Sequence, residues 1–338
     1  MGLTLRQQQI LSYVVQTYVA TAKPVSSQAI LTSGHVIVSS ATIRNDLAAL
    51  EDEGFLTHPH TSAGRVPTDK GYRYFVERLL GDVELPPHEE NTIRHQFHQA
   101  RLEMGQWMQL AAAVLARSSR SAALISAPRL EQPRFRHLEL ISTQSQMALL
   151  VLVLQGGTVR QQVLALRDPT DQSELSQTAA RLNGLFGGAD PATIRGRLAG
   201  LSDFELDAAR SALELMAGDA NQPSTEVFRD GLTEVLQEPE FVSQSGARAI
   251  VHALEQPGFL QDLTLAKVGT VQVVIGGEGR WHELSSCSMV MARYGVDGFA
   301  TGTVGVVGPT RMPYGRAISS VRLVAGLMSG LVGDIYGE

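Results

Sequence analysis

The stretch Val38-Ser-Ser-Ala-Thr-Ile-Arg-Asn-Asp46, followed by His60-Thr-Ser-Ala-Gly-Arg-Val-Pro67, decides how this chain is read. Ser39 is placed to cap a helix running to Gly54, with Val38 and Ile43 as a hydrophobic staple over its first turn. Projection at about 100° per residue gathers Ile43, Leu47 and Leu50 into one buried stripe. Ala41, Asn45, Ala48 and Ala49 fall on the opposite side, with Thr42 and Arg44 flanking them. A face this poor in bulk can lie close against a flat or grooved partner.

Upstream, Thr4 with Gln7 has the form of a capping box, and Ile10, Leu11, Val14, Val15 and Tyr18 recur at helical spacing until Pro24. Ser26 or Ser27 then caps a short second helix ending near Gly34, and Val36-Ile37-Val38 reads as a brief extended piece. Downstream, Phe55-Leu56 and Arg65-Val66 can pair as a hairpin with its tip at Thr61–Gly64. Thr68 caps a fourth helix with Tyr72, Phe75, Val76 and Leu79 on one face. Helix, helix, helix, hairpin is the winged helix-turn-helix order.

That order points to DNA. The major groove admits a helix and shows each base pair as a distinct set of donors, acceptors and methyls. Asn45 suits adenine, Arg44 suits guanine or a phosphate, and Ala41 or Ala48 suits a thymine methyl. Ser39, Ser40 and the helix N-terminal amides suit a phosphate, with Thr42 beside them. On the hairpin, Arg65 can reach phosphates or the minor groove, and His60, Thr61 and Ser62 complete the candidate set. The acids Glu51-Asp52-Glu53 would repel the backbone, so that end of the helix should point away from it. The competing reading is an alanine-rich helix docked on another protein.

Bulk properties set limits around this. With 338 residues, 43% hydrophobic and 18% charged, the chain has the make-up of an ordinary globular protein of two or three domains. A net charge of −6 argues against coating nucleic acid everywhere, but residues 1–80 hold seven Lys/Arg against six Asp/Glu. No segment reads as a membrane span, the longest apolar run being Met147 to Leu154. No secretory signal is seen, so the cytoplasm is the expected location. The single cysteine, Cys287, excludes an internal disulfide and a multi-Cys metal site, and reads as a buried thiol.

Residues 81–90, with Pro86-Pro87, read as a linker, and a helix follows from about Asn91 to Ser118. A strand fits Ala122–Ala127. Three strand-like runs span Arg136 to Leu166, broken at Thr143–Gln146 and Gly156-Gly157. Helices then fit Asp171–Phe186 and Asp190–Leu198, giving a βββαα block. Residues from about Asp203 to Leu263 read as mostly helical. Strands return at Val268–Ile275, Ser286–Tyr294 and Thr303–Val307, before an amphipathic helix over Arg316–Val332.

The run His60-Thr-Ser-Ala-Gly-Arg-Val-Pro-Thr-Asp-Lys-Gly-Tyr-Arg73, with Val38–Asp46 and Pro24-Val25-Ser26 before it, resembles the HrcA family of heat-inducible transcription repressors. Gly302-Thr-Val-Gly-Val-Val-Gly-Pro-Thr-Arg-Met312 resembles that family's C-terminal signature. The resemblance implies a multidomain α+β homodimer in three parts. These are a winged helix-turn-helix domain (1–80), a discontinuous GAF-like α/β domain (81–129 and 201–338) and an inserted dimerising domain (130–200). It further implies repression of chaperone operons through an inverted-repeat DNA operator, release on heat stress, and a GroEL-type chaperonin as modulator. No cofactor or enzymatic activity is expected. The alternative is an effector-gated regulator with a small molecule in the GAF-like part.

Other constellations carry less. His58 and His60 form an H-x-H pair without a third ligand at useful spacing. Gly276-Gly277-Glu-Gly279 lacks the Lys-Ser/Thr of a phosphate loop and suits a turn. Gly302 and Gly305 suit close backbone packing within a strand better than a dinucleotide fingerprint.

Overall fold

The computed structural model describes residues 2–60, 64–100, 103–130, 133–144, 146–155, 158–217, 226–241, 251, 267–276, 278 and 285–336. Helix α1 (Leu5–Thr21) starts at a full capping box. Thr4 Oγ1 accepts from the Gln7 amide at 3.3 Å, and Gln7 Oε1 accepts from the Thr4 amide at 2.9 Å. It buries Ile10, Leu11, Val14 and Val15 and stops at Ala22, whose φ of 54° ends the helical run. Helix α2 (Ser27–Ser33) is capped by Ser26, and α3 (Ser40–Asp52) by Ser39, whose Oγ accepts from the Thr42 amide at 3.2 Å. Residues 36–38 between them form no strand: Val36 is buried and Ile37 is 96% exposed.

Strands β1 (Leu56–Thr57) and β2 (Val66–Pro67) pair antiparallel, Leu56 opposite Pro67. Val25 extends this small sheet, exchanging two backbone hydrogen bonds with Arg65 at 2.9 and 2.8 Å. Thr68 caps α4 (Asp69–Tyr74), which widens into a π-helical turn over Phe75–Leu79. That widening leaves Tyr72 and Phe75 buried but Val76 and Leu79 only half-buried.

Helix α5 (Pro87–Gln99) begins inside the expected linker, because Pro87 has the fixed φ suited to a first helical position and Glu89 and Glu90 favour the first turn. The single helix expected over 91–118 is two, since Ala100 is extended and α6 (Met104–Ser119) starts afresh. Strands β3 (Ala122–Ser126) and β4 (Arg129–Leu130) follow.

Strands β5 (Phe135–Gln144), β6 (Met147–Leu154) and β7 (Val159–Ala165) make an antiparallel sheet in that order. Alternation sends Leu138, Leu140, Leu150, Leu152 and Leu154 to one face. Helices α7 (Gln172–Phe186), α8 (Pro191–Gly196) and α9 (Asp203–Ala217) cover that face with Leu175, Leu182, Phe186, Ile194, Ala208 and Met216. Asp171 and Asp190 cap α7 and α8. Bonds from Thr193 to the Asp190 carboxylate hold it below its ordinary pKa. Helix α9 begins beyond residue 200, yet its apolar stripe completes this core.

Of the segment expected to be mostly helical from about Asp203 to Leu263, α9 is helical, and residues 218–225, 242–250 and 252–263 lie outside the described residues. Residues 227–230 instead form strand β8 (Val227–Asp230), hydrogen-bonded along β3. A run of four residues gives too little periodicity to mark it, and pairing with β3 decides its state. Helix α10 (Leu232–Val235) and a 3₁₀ turn at Pro239–Phe241 follow, then β9 (Val271–Ile275), β10 (Cys287–Val296), β11 (Ala300–Pro309) and α12 (Tyr314–Tyr336). The sheet order is β8-β3-β11-β10-β9, with β4 pairing Ala300 and Thr301. Contrary to the expectation that no segment has the length of a membrane span, Tyr314–Asp334 is long and apolar enough to be one. Its Ala317, Val321, Val324, Ala325 and Met328 are buried at helical spacing, as in a core helix.

The chain divides into two compact units. One comprises Met1–Ala127, Glu226–Tyr294 and Gly302–Ser329, the other Pro128–Thr225, Gly295–Thr301 and Gly330–Glu338.

Candidate nucleic-acid interface

Helix α3 presents the face that its spacing predicts. Ile43, Leu47 and Leu50 are buried, while Ser39, Ala41, Arg44, Asn45 and Ala48 are exposed; Ser40 and Thr42 are half-exposed, as is Ala49, which the projection places on the outer side. Among the described residues neither Arg44 nor Asn45 has a side-chain partner, so both are available to a ligand. The buried stripe has a fourth member that hydrophobic periodicity could not reveal. Asp46, 7% exposed, accepts from Arg6 Nε at 2.6 Å and Nη2 at 3.2 Å, joining α3 to α1. Arg6 is held above its ordinary pKa by that hydrogen bond first and the carboxylate's charge second.

The hairpin residues are placed differently from one another. His60 is exposed, whereas Thr61 and Ser62 lie outside the described residues. Arg65 is half-buried, and its Nη2 donates to Glu51 Oε2 at 2.6 Å, so its charge is already matched. The Glu51 carboxylate also receives His58 Nδ1. His58 is thus engaged by a carboxylate, and no cluster of three metal-ligating side chains occurs among the described residues.

Close backbone contacts explain why the motif from His60 to Arg73 is so particular. A Cβ on Gly64 would stand 2.5 Å from the Val25 carbonyl, and one on Gly71 would stand 2.2 Å from the Phe55 oxygen. Thr68 Oγ1 donates to the Gly54 carbonyl at 2.7 Å while accepting from the Gly71 amide at 3.1 Å. Arg73 Nε donates to Glu278 at 3.0 Å and its Nη2 to the Val273 carbonyl at 2.9 Å, tying α4 to β9. The Tyr72 ring lies 5.8 Å from that of Tyr314, and burial raises the pKa of both phenols. The hairpin, α4 and the C-terminal sheet are thus linked by direct contacts.

Gly302 and Gly305 are packing devices. A Cβ on Gly302 would enter the Tyr294 ring at 2.6 Å, and one on Gly305 would meet Met291 at 2.5 Å. Gly276, at φ 55°, lies against the Asp69 carboxylate in the turn after β9. Cys287 is buried, and burial pushes its thiol up to about 12. A groove of about 210 Å³ runs between Leu80, Val83, Val273 and Ile318. It falls below the roughly 300–1,000 Å³ of ligand pockets.

Comparison with known proteins supplies the family. The family model for the HrcA protein C terminal domain matches residues 105–318. The heat-inducible transcription repressor HrcA of Herpetosiphon aurantiacus is 46% identical, covering 98% of this chain and 96% of its own. That of Chloroflexus aurantiacus is 43% identical over 99% and 95%, and that of Dehalococcoides mccartyi strain CBDB1 is 40% identical over 99% and 98%. The crystal structure of a hypothetical protein shares the fold, with TM-score 0.61 at 24% identity over 98% of each chain. These matches place the chain among transcription repressors of mixed α+β build. It belongs to the HrcA family of heat-inducible transcription repressors.

Proposed function

We propose that this repressor acts on heat-shock chaperone operons by binding an inverted-repeat operator as a homodimer, with one α3 in each half-site. The observation that carries the reading is the exposed, slim face of α3, on which Arg44 and Asn45 stand without partners among the described residues. Ser39, Ser40 and the first amides of α3 take a phosphate, Arg44 and Asn45 take base edges, and Ala41, Thr42 and Ala48 allow close approach. Residues 1–80 are then a winged helix-turn-helix domain with its hairpin as the wing, carrying His60, Thr61, Ser62 and Arg65. The sheet β8-β3-β11-β10-β9 with its helices serves as the GAF-like domain.

For dimerisation the supporting feature is the uncovered face of β5–β7. Ile141, Leu149 and Val163 stand in one cross-strand row, with Met147, Val151, Val153 and Val159 on the same face. Four of these, Ile141, Met147, Val159 and Val163, are exposed large hydrophobics. Apolar exposure on this scale marks an interaction surface. A symmetric contact there would set two α3 helices to read a palindrome. Modest heating that loosens such a dimer would release DNA, and a GroEL-type chaperonin would act on the exposed chain. A gel-shift with chaperone-gene promoters tests the reading. A shifted band that survives random-sequence competitor supports it, and equal competition by random DNA refutes it.

A further inference from the structure

We infer that Glu51 is a positioning residue: its carboxylate staples both limbs of the hairpin to α3 and cancels the charge of Arg65, so that the wing serves discrimination more than raw affinity. The inference rests on the DNA-binding reading above. Glu51 lies seven residues, about two turns, beyond Arg44, and so on the same flank of α3. An unmatched carboxylate there would oppose a phosphate backbone within the roughly 8–10 Å range of weakly screened interactions. Instead its two oxygens are both occupied. Oε2 accepts from Arg65 Nη2 at 2.6 Å, and Oε1 pairs with His58 Nδ1.

The sequence positions of those partners give the arrangement its meaning. His58 directly follows β1 and Arg65 directly precedes β2, so they flank the hairpin tip on opposite limbs. One side chain from the last turn of α3 therefore grips both. The backbone of Arg65 is fixed independently by Val25, and Gly64 permits that approach. The hairpin is thereby oriented relative to α3 before any DNA arrives, which spares the ordering cost on binding. An Arg65 already matched to a carboxylate also displaces fewer counterions from a phosphate backbone than a lone arginine would.

The test compares Glu51→Gln, Arg65→Met and the double variant in the full-length protein. Dissociation constants are measured on a chaperone-promoter duplex and a random duplex of equal length across a salt series. In Glu51→Gln the freed Arg65 raises affinity for the random duplex about threefold or more and steepens the salt slope by about 0.9. Preference for the promoter falls about tenfold. In the Arg65→Met background, Glu51→Gln changes neither slope nor preference further. The swap Glu51→Arg with Arg65→Glu recovers preference relative to Glu51→Arg alone, which a folding defect would not allow. Equal tightening on both duplexes by Glu51→Gln, additive with Arg65→Met, would overturn the inference and leave Glu51 a simple repulsive charge. A parent protein with no promoter preference would instead overturn the DNA-binding reading itself.

Discussion

Substituting Gly71→Ala sets two effects of opposite sign against each other, and the contacts of α4 decide between them. Gly71 is helical, so propensity alone makes alanine the better residue by about 1 kcal/mol. The added Cβ, however, would stand 2.2 Å from the Phe55 oxygen, a backbone atom that cannot swing away. To restore an ordinary contact α4 must retreat by about 1 Å or more. That same oxygen accepts from the Thr68 amide at 3.1 Å, while the Thr68 hydroxyl proton goes to the Gly54 carbonyl at 2.7 Å. Overpacking costs about 1–3 kcal/mol, and weakening the Thr68 amide hydrogen bond costs about 1 kcal/mol. After the propensity gain the net destabilisation is about 1–3 kcal/mol.

Amide hydrogen exchange at Thr68 reads this locally and should accelerate about 5-fold to about 150-fold. Gly184→Ala is the internal control. Gly184 is an exposed helical glycine in α7 with open space where its Cβ would sit, so the same change there should stabilise by about 0.5–1 kcal/mol. If Gly71→Ala left Thr68 exchange unchanged or slower, the packing account of the motif would be wrong.

Arg44→Ala and Asn45→Ala should each cost about 1–3 kcal/mol of promoter-over-random discrimination, measured by competition binding; unchanged discrimination in both would remove them from the contact set. Leu149→Arg places a charge in the middle of the uncovered β5–β7 face and should convert the proposed dimer to monomers in sedimentation, whereas an intact dimer would move the self-contact elsewhere. The Cys287 thiol gives a pH dependence with a defined sign. Its proton leaves near 9 in the unfolded chain and near 12 in the folded one, so stability is full below about pH 9 and falls as pH rises towards 12. The urea midpoint should therefore decline less over that window in Cys287→Ala, and an equal decline in both proteins would contradict the assignment.

Local chemistry was legible in the sequence, and distant pairing was not. Thr4, Ser26, Ser39, Thr68, Asp171 and Asp190 cap their own helices within three residues, so spacing alone places those starts. The slim face of α3 follows from 3.6-residue periodicity for the same reason. Asp46 on the buried side of that helix could not be anticipated, since its partner Arg6 is forty residues away. The role of Glu51 was hidden similarly: an acidic run looks repulsive until His58 and Arg65 are folded onto it. Gly64 and Gly71 stand in a recognisable motif, yet only the neighbouring Val25 and Phe55 carbonyls show why glycine is needed. Strand β8 was missed because its state is decided by β3, about a hundred residues earlier in the chain.

Alkylation of a thiol installed at Ala48 tests the central claim most directly. The native Cys287 is buried with its thiol pushed up to about 12, so it stays unreactive in the folded protein near neutral pH. Ala48→Cys adds one sulfur on the exposed face of α3, and Ser173→Cys places a control on the exposed side of α7. Saturating promoter duplex should slow iodoacetamide labelling at position 48 about tenfold or more while leaving position 173 unaffected. Labelling at position 48 that proceeds at the same rate with and without bound duplex would show that DNA is held elsewhere on the protein.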